Sequence, residues 1–154
     1  MSVRLSHIVL GLVLLTSSSC ANRKTSDPDI VLSFKQSACF GTCPIYVMTI
    51  DENGHVRYEG ERFVDKVGVY TKDLSQDEQK ELFKYLKDFE WELFKDEYRT
   101  QVTDLPSIIV HYRTKKVDKK ITITGEHPKE LDVLTQKIQA IANHKDGWIN
   151  QNLR

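Results

Sequence analysis

The chain has 154 residues, with 22 basic and 22 acidic side chains and a formal net charge of zero. That balance leaves no basic surplus to hold nucleic acid and no acidic tail to stay disordered, and the length suits one domain around a single core. The three cysteines are an odd number for an exported protein, so at least one needs a separate explanation.

The first segment supplies it. Arg4 gives a short positive region, Ile8 to Leu15 is an apolar run too short to span a bilayer, and small residues follow up to Cys20. The pattern predicts a secretory signal over residues 1–19. A cysteine closing the small-residue stretch is what lipoprotein signals use, with the thiol lipidated and the chain cut just before it. Cys20 is therefore the expected lipidation site. The box is imperfect: Ser17 stands where a leucine is usual, and Leu15 comes two positions early. The plainer alternative is cleavage near Ser19 with Cys20 left as a free thiol. Lipid on Cys20 would leave Cys39 and Cys43 as an even pair. Residues 20–29 are polar and read as a flexible tether, and residues 30–150 as a single α+β domain. Arg4 is the one charge the cut removes, so the mature charge is about −1.

Within that domain, IVLSFKQ (30–36) has the β-branched and aromatic content of a strand. The turn CFGTCP (39–44) follows, and then IYVMTI (45–50) alternates as a second strand. Asn53-Gly54 predicts a hairpin, because both residues tolerate positive φ, and Val56 and Tyr58 resume the alternation. VGVYTK (67–72) predicts a fourth strand. Ser75 and Glu78 form a capping box opening a helix whose apolar face is Leu82, Leu86, Phe89 and Leu93, widened by Phe83 and Phe94. Trp91 reads as a core residue between the exposed Glu90 and Glu92.

Lys95 to Leu105 has no period and reads as a long loop bounded by Pro106. SIIVHYRT (107–114) and KKITITG (119–125) predict two more strands. Pro128 suits the first position of a last helix, with Leu131, Leu134, Ile138 and Ile141 on its buried face. Trp148 is expected to dock the C-terminus. The order ββββαββα predicts an α+β fold with a mainly antiparallel sheet of about six strands and two helices.

Chemistry is sparse. A thioredoxin-type site places its cysteines at a helix N-terminus, which stabilises the thiolate. In CFGTCP the spacing is one residue longer, and a strand follows. No histidine follows for haem attachment, and zinc would need two further ligands, which His55, His111, His127 and His144 do not offer at ligand spacing. The favoured reading is a local disulfide between Cys39 and Cys43 in an oxidising compartment, with Gly41 and Pro44 shaping the turn. A redox-active pair and a metal clamp remain the alternatives. In the long loop, Asp96, Glu97 and Asp104, with Tyr98 and Thr103 among them, form a possible binding loop for a cation or for acid–base work. The blander account is a solvated loop. No nucleophile elbow, zinc-protease, P-loop or dinucleotide motif occurs. No catalytic residue, metal or cofactor is expected.

The leader, CFGTCP-x-Y opening a strand, a glycine hairpin leading to V-x-Y-E-G, and VTDLP (102–106) before a later strand together resemble a family of bacterial exported proteins common in the Bacteroidota. That family is catalogued only as a domain of unknown function. The likeness runs from about Ile30 to Ala142. It implies an envelope protein and no activity.

The function expected is a non-enzymatic binding module tethered to the cell envelope by lipid, in the outer membrane and facing the periplasm. Its partners would be the membrane, through the anchor, and another envelope component or a peptide, with no nucleic acid. The rivals are a thiol-redox accessory or enzyme using Cys39 and Cys43 or the acidic loop, and a small inhibitor presenting the CFGTCP turn to a hydrolase.

Overall fold

The computed structural model describes residues 29–102 and 104–152. The signal, Cys20 and nearly all of the tether lie outside the described residues. The elements are β1 Ile30–Gln36, β2 Ile45–Asp51, β3 His55–Arg62, β4 Gly68–Asp73, α1 Gln76–Asp88, a 3-10 turn Trp91–Leu93, β5 Glu97–Tyr98, β6 Ile108–Arg113, β7 Asp118–Ile123, α2 Lys129–Asn143 and β8 Ile149–Asn150. The strands form one sheet in the order β5-β7-β6-β1-β2-β3-β4-β8.

This corrects the expected six-stranded antiparallel sheet. Among the described residues there are eight strands, and the sheet is mixed, because β5 runs parallel to β7. The two extra strands, β5 and β8, have two residues each, too few for an alternation to be read. Position creates them. The chain leaving the 3-10 turn runs along β7, where the Thr122 and Thr124 N–H groups donate to the Asp96 and Tyr98 carbonyls at 2.9 and 2.8 Å. The segment after α2 returns beside β4, where Gln151 N–H donates to Val69 O at 2.9 Å.

Alternation puts one face of the sheet inward. Leu32 and Phe34 of β1, Tyr46, Met48 and Ile50 of β2, Val56 and Tyr58 of β3, Val110 and Tyr112 of β6, and Ile121 and Ile123 of β7 share a core with residues of both helices. On the other face Lys35, Arg57, Glu59 and Lys120 are exposed.

The hairpin between β2 and β3 forms as expected, by a different device. Of Asn53 and Gly54, only Gly54 has positive φ, at 79°. Asp51 organises the turn instead, its carboxylate accepting from the Asn53 and His55 N–H groups at 2.9 and 3.0 Å.

The capping box of α1 is present: Ser75 Oγ accepts from Glu78 N–H at 3.3 Å, and Glu78 returns to Ser75 N–H at 2.8 Å. Leu82 and Leu86 are buried, but α1 ends at Asp88, one turn short of Leu93. Leu93 falls in the 3-10 turn and is 72% exposed, which corrects its placement on the helix face. Trp91 and Phe94 bury in its stead. The Trp91 indole N–H donates to Leu86 O at 2.7 Å, satisfying a carbonyl the helix end leaves open. Pro128 is the N-cap of α2 rather than its first residue, and Leu131, Leu134 and Ile138 are fully buried beneath it.

Candidate functional site

The turn after β1 is closed by a disulfide between Cys39 and Cys43, whose Cα atoms are 5.7 Å apart. Phe40 stands out of that turn, 89% exposed. Beside it lies the loop before β6. Phe40 N–H donates to Asp104 O at 3.2 Å, Ser37 N–H to Ser107 O at 2.9 Å, and Ser107 N–H to Ser37 Oγ at 2.9 Å. CFGTCP and VTDLP are therefore neighbours at one end of the sheet.

The acidic residues do not gather. Asp96 pairs with Lys119 at 2.6 Å, and Glu97 pairs with Arg99. Tyr98 turns its hydroxyl to accept from Lys95 N–H at 3.1 Å. These three sit on the β5 edge. Asp104 is at the disulfide turn instead, with φ +77°. The depression beside Asp96 and Glu97 is lined by Asp118, Lys119, Lys120 and Thr122, and it does not reach the cysteines. Among the described residues, no three His, Cys, Asp or Glu side chains are placed to hold a metal ion. His55, His111 and His127 each lie against a carboxylate, at 2.7, 2.7 and 2.9 Å.

Next to the disulfide turn a cleft of about 320 Å³ opens between the ends of β1–β3, the loop over residues 63–66 and the last turn of α2. Its floor is two tyrosines on adjacent strands. Tyr46 and Tyr58 stack with centroids 5.1 Å apart, in a row that continues to Phe34 on one side and Trp148 on the other. The residues are only 5% and 3% exposed, yet neither hydroxyl has a hydrogen-bond partner among the described residues, and no polar side-chain atom that is fully shut off from solvent lacks one. Neither hydroxyl is therefore fully shut off from solvent, and both residues line the cleft. Burial pushes both phenols up, Tyr58 to about 12 with a smaller contribution from Asp65, and Tyr46 with a smaller contribution from Tyr58. They remain neutral donors and acceptors at any ordinary pH.

Lys66 closes one side. Its ammonium donates to Ala142 O at 2.8 Å and lies 5.3 and 5.2 Å from the Tyr58 and Trp148 ring centres. Burial lowers its pKa, against the pull of Asp65 and with the push of Lys72. Gly60 makes this closure possible. A Cβ there would run into the Lys66 carbonyl and the Val64 side chain, so the loop folds over β3 only because Gly60 has none.

Alternation alone reads Tyr46 and Tyr58 as core residues and so passes over this site. One signal was available: a phenylalanine buries as well, and a buried tyrosine needs something for its hydroxyl to meet. Pro44 and Tyr46 come from CFGTCP-x-Y, and Tyr58 and Gly60 from V-x-Y-E-G. Two of the stretches that carry the sequence resemblance thus meet at the cleft, while VTDLP lies beside the disulfide turn.

No curated protein matches the chain. Residues 30–142, from the start of β1 to the last turn of α2, match the family described as a domain of unknown function (DUF6438), so the chain belongs to that family.

Proposed function

We propose that the protein is a lipid-anchored binding module of the cell envelope, held in the outer membrane through Cys20, that captures another envelope component in the tyrosine-floored cleft. The observation that carries the binding reading is the pair of hydroxyls on Tyr46 and Tyr58, which belong to nine-tenths buried residues lining the cleft and have no hydrogen-bond partner among the described residues. Pre-formed concave sites with a few convergent polar groups are where ligands bind. The anchor rests on the leader sequence. Its geometry suits the cleft, which lies at the Gln36 end of β1, whereas the tether enters at Ile30. Seven residues of strand, roughly 20 Å, separate the two ends. The tether therefore joins the domain at the end remote from the cleft and leaves its mouth uncovered.

The test is retention of fractionated envelope extract on the immobilised protein. Wild type should hold back material that the Tyr46→Phe/Tyr58→Phe double variant lets through. Equal retention by both, or none by either, would refute the binding reading.

A second reading has one observation in its favour. Phe40 projects from a disulfide-closed turn, as an inhibitor's contact residue would. In that case Phe40→Ala would abolish inhibition of an envelope hydrolase and leave retention by the cleft unchanged.

A further inference from the structure

We infer that the cleft is a saccharide site, taking an uncharged polyhydroxylated ring against the Tyr46 and Tyr58 hydroxyls, the Gln36 and Gln139 amides and the Phe63 side chain. The inference rests on the binding reading above and names its ligand class.

The polar inventory matches hydroxyls better than ions. A tyrosine hydroxyl both donates and accepts, as a sugar hydroxyl does. Gln139 Nε2 donates to Gln36 Oε1 at 3.2 Å, which leaves the Gln36 amide N–H groups to donate and the Gln139 carbonyl to accept. Asn143 adds a second such amide at the far wall. Formal charges cancel, since Lys66 and Asp65 are the two ionisable residues of opposite sign in the lining.

An anion is disfavoured. The helix end facing the cleft is the C-terminus of α2, the negative pole of its dipole, and the one ammonium present is already bonded to Ala142 O. A cation is disfavoured because Lys66 holds that pole. An extended peptide would seek a free strand edge, whereas the cleft sits over the ends of β1–β3, which lie inside the sheet.

Phe63 supplies the apolar surface a sugar ring needs for its C–H face. It is a bulky residue held at φ +57°, where side chains are rarely found, and it is 50% exposed in the cleft lining. The size is right for a small ligand, since about 320 Å³ is at the low end of ligand sites.

The full chain carrying Cys20→Ala, which removes the lipid, is titrated with cellobiose, maltose and N,N′-diacetylchitobiose, and separately with sodium phosphate, sodium acetate and alanylalanine. Calorimetry gives affinity, and amide chemical shifts give the place. At least one disaccharide should bind saturably and move the amides of Tyr46, Tyr58, Phe63 and Gln139. Tyr46→Phe and Tyr58→Phe should each weaken it roughly three- to tenfold, the usual share of one hydrogen bond, with thermal unfolding unchanged. Phe63→Gly, which keeps the left-handed backbone, should weaken it as well. The saccharide assignment is overturned if all three disaccharides leave these amides still, if an anion or the dipeptide moves them instead, or if both Tyr→Phe variants bind as tightly as wild type. Selective retention of envelope extract without a saccharide response would remove the ligand class alone, whereas loss of both results would remove the binding reading too.

Discussion

The backbone N–H of Phe40 donates to the carbonyl oxygen of Asp104 at 3.2 Å, which ties the disulfide turn to the loop before β6. Sixty-odd residues of chain lie between them, so the bond is a long-range clasp and not a local turn. The disulfide shapes one half of it.

Reduction should therefore act locally and modestly. Closing a loop of this length contributes about 2 kcal/mol by chain entropy. Cys39→Ser/Cys43→Ser should lower unfolding free energy by about that much, with faster amide exchange confined to residues 37–44 and 99–107. Mass spectrometry of the unreduced protein should find the two cysteines linked in one peptide. A variant whose exchange rises equally across β2 and β3 would show that the bridge supports the whole sheet.

The core of α1 gives a second test. Leu86 is fully buried, and Leu93 is 72% exposed because α1 ends before reaching it. Leu86→Ala should cost about 2–5 kcal/mol in denaturant unfolding. Leu93→Ala and Lys87→Ala should each stay within about 0.5 kcal/mol. A large effect at Leu93 would mean that the helix face continues past Asp88.

The sequence is informative wherever a regular period runs for several residues. Five of the six longer strands, both helices and the Ser75–Glu78 box are legible because each repeats a burial pattern or carries a cap, while β4 is half-buried along most of its length and is marked by its valine, tyrosine and threonine instead. What is not legible is set by partners distant in the chain. Glu97–Tyr98 becomes a strand only because β7 lies alongside, and Ile149–Asn150 only because β4 does. Leu93 keeps the helical spacing, but the helix stops at Asp88, where Phe89 takes an extended backbone. The candidate site is the extreme case. Its wall and floor come from Gln36, Tyr46, Tyr58, Lys66 and Gln139, drawn from three strands, one loop and one helix. No short window of sequence contains it, though the two tyrosines stood in the motifs throughout.

Gly60 separates a steric glycine from a conformational one. A side chain at Gly60 meets the Lys66 backbone, so Gly60→Ala must push the 63–66 loop off the sheet, at about 1–3 kcal/mol. Gly147 has open space around it and φ +81°, so Gly147→Ala should cost only the left-handed backbone, roughly 1 kcal/mol. Gly60→Ala should also shift the Tyr58 and Trp148 amides, since Lys66 lies over both rings. Matching losses with no shift at Trp148 would place the loop elsewhere.

Lipidation is tested directly on the full chain in a bacterial host. The leader ends its small-residue stretch at Cys20. Labelled palmitate should enter wild type and not Cys20→Ala, and only the variant should appear in the soluble periplasmic fraction. Equal labelling of both, or of neither, would remove the anchor and leave the cleft arguments intact.

The last prediction concerns pH and rests on His127, whose ring nitrogens both face acceptors. Nδ1 lies 2.6 Å from Gly125 O, and Nε2 lies 2.9 Å from Asp132. A neutral imidazole can donate from only one nitrogen, whereas the imidazolium donates from both. Burial alone would lower this pKa, and so would the N-terminal pole of α2 nearby. The Gly125 hydrogen bond and then the Asp132 hydrogen bond and charge outweigh that, and the net shift is upward from 6.5. The sign follows from linkage. A group with a raised folded pKa binds more protons folded than unfolded, so its contribution is complete below the unfolded value of 6.5 and is lost as pH rises through the folded value. Wild type should therefore exceed His127→Gln in stability by more at about pH 5.5 than at about pH 8.5. The difference should be modest, because Asp132 is half exposed and solvent screens the pair. Proton NMR titration of the His127 ring gives the independent check, and a midpoint below 6.5 would mean that burial, not the two acceptors, governs the ring.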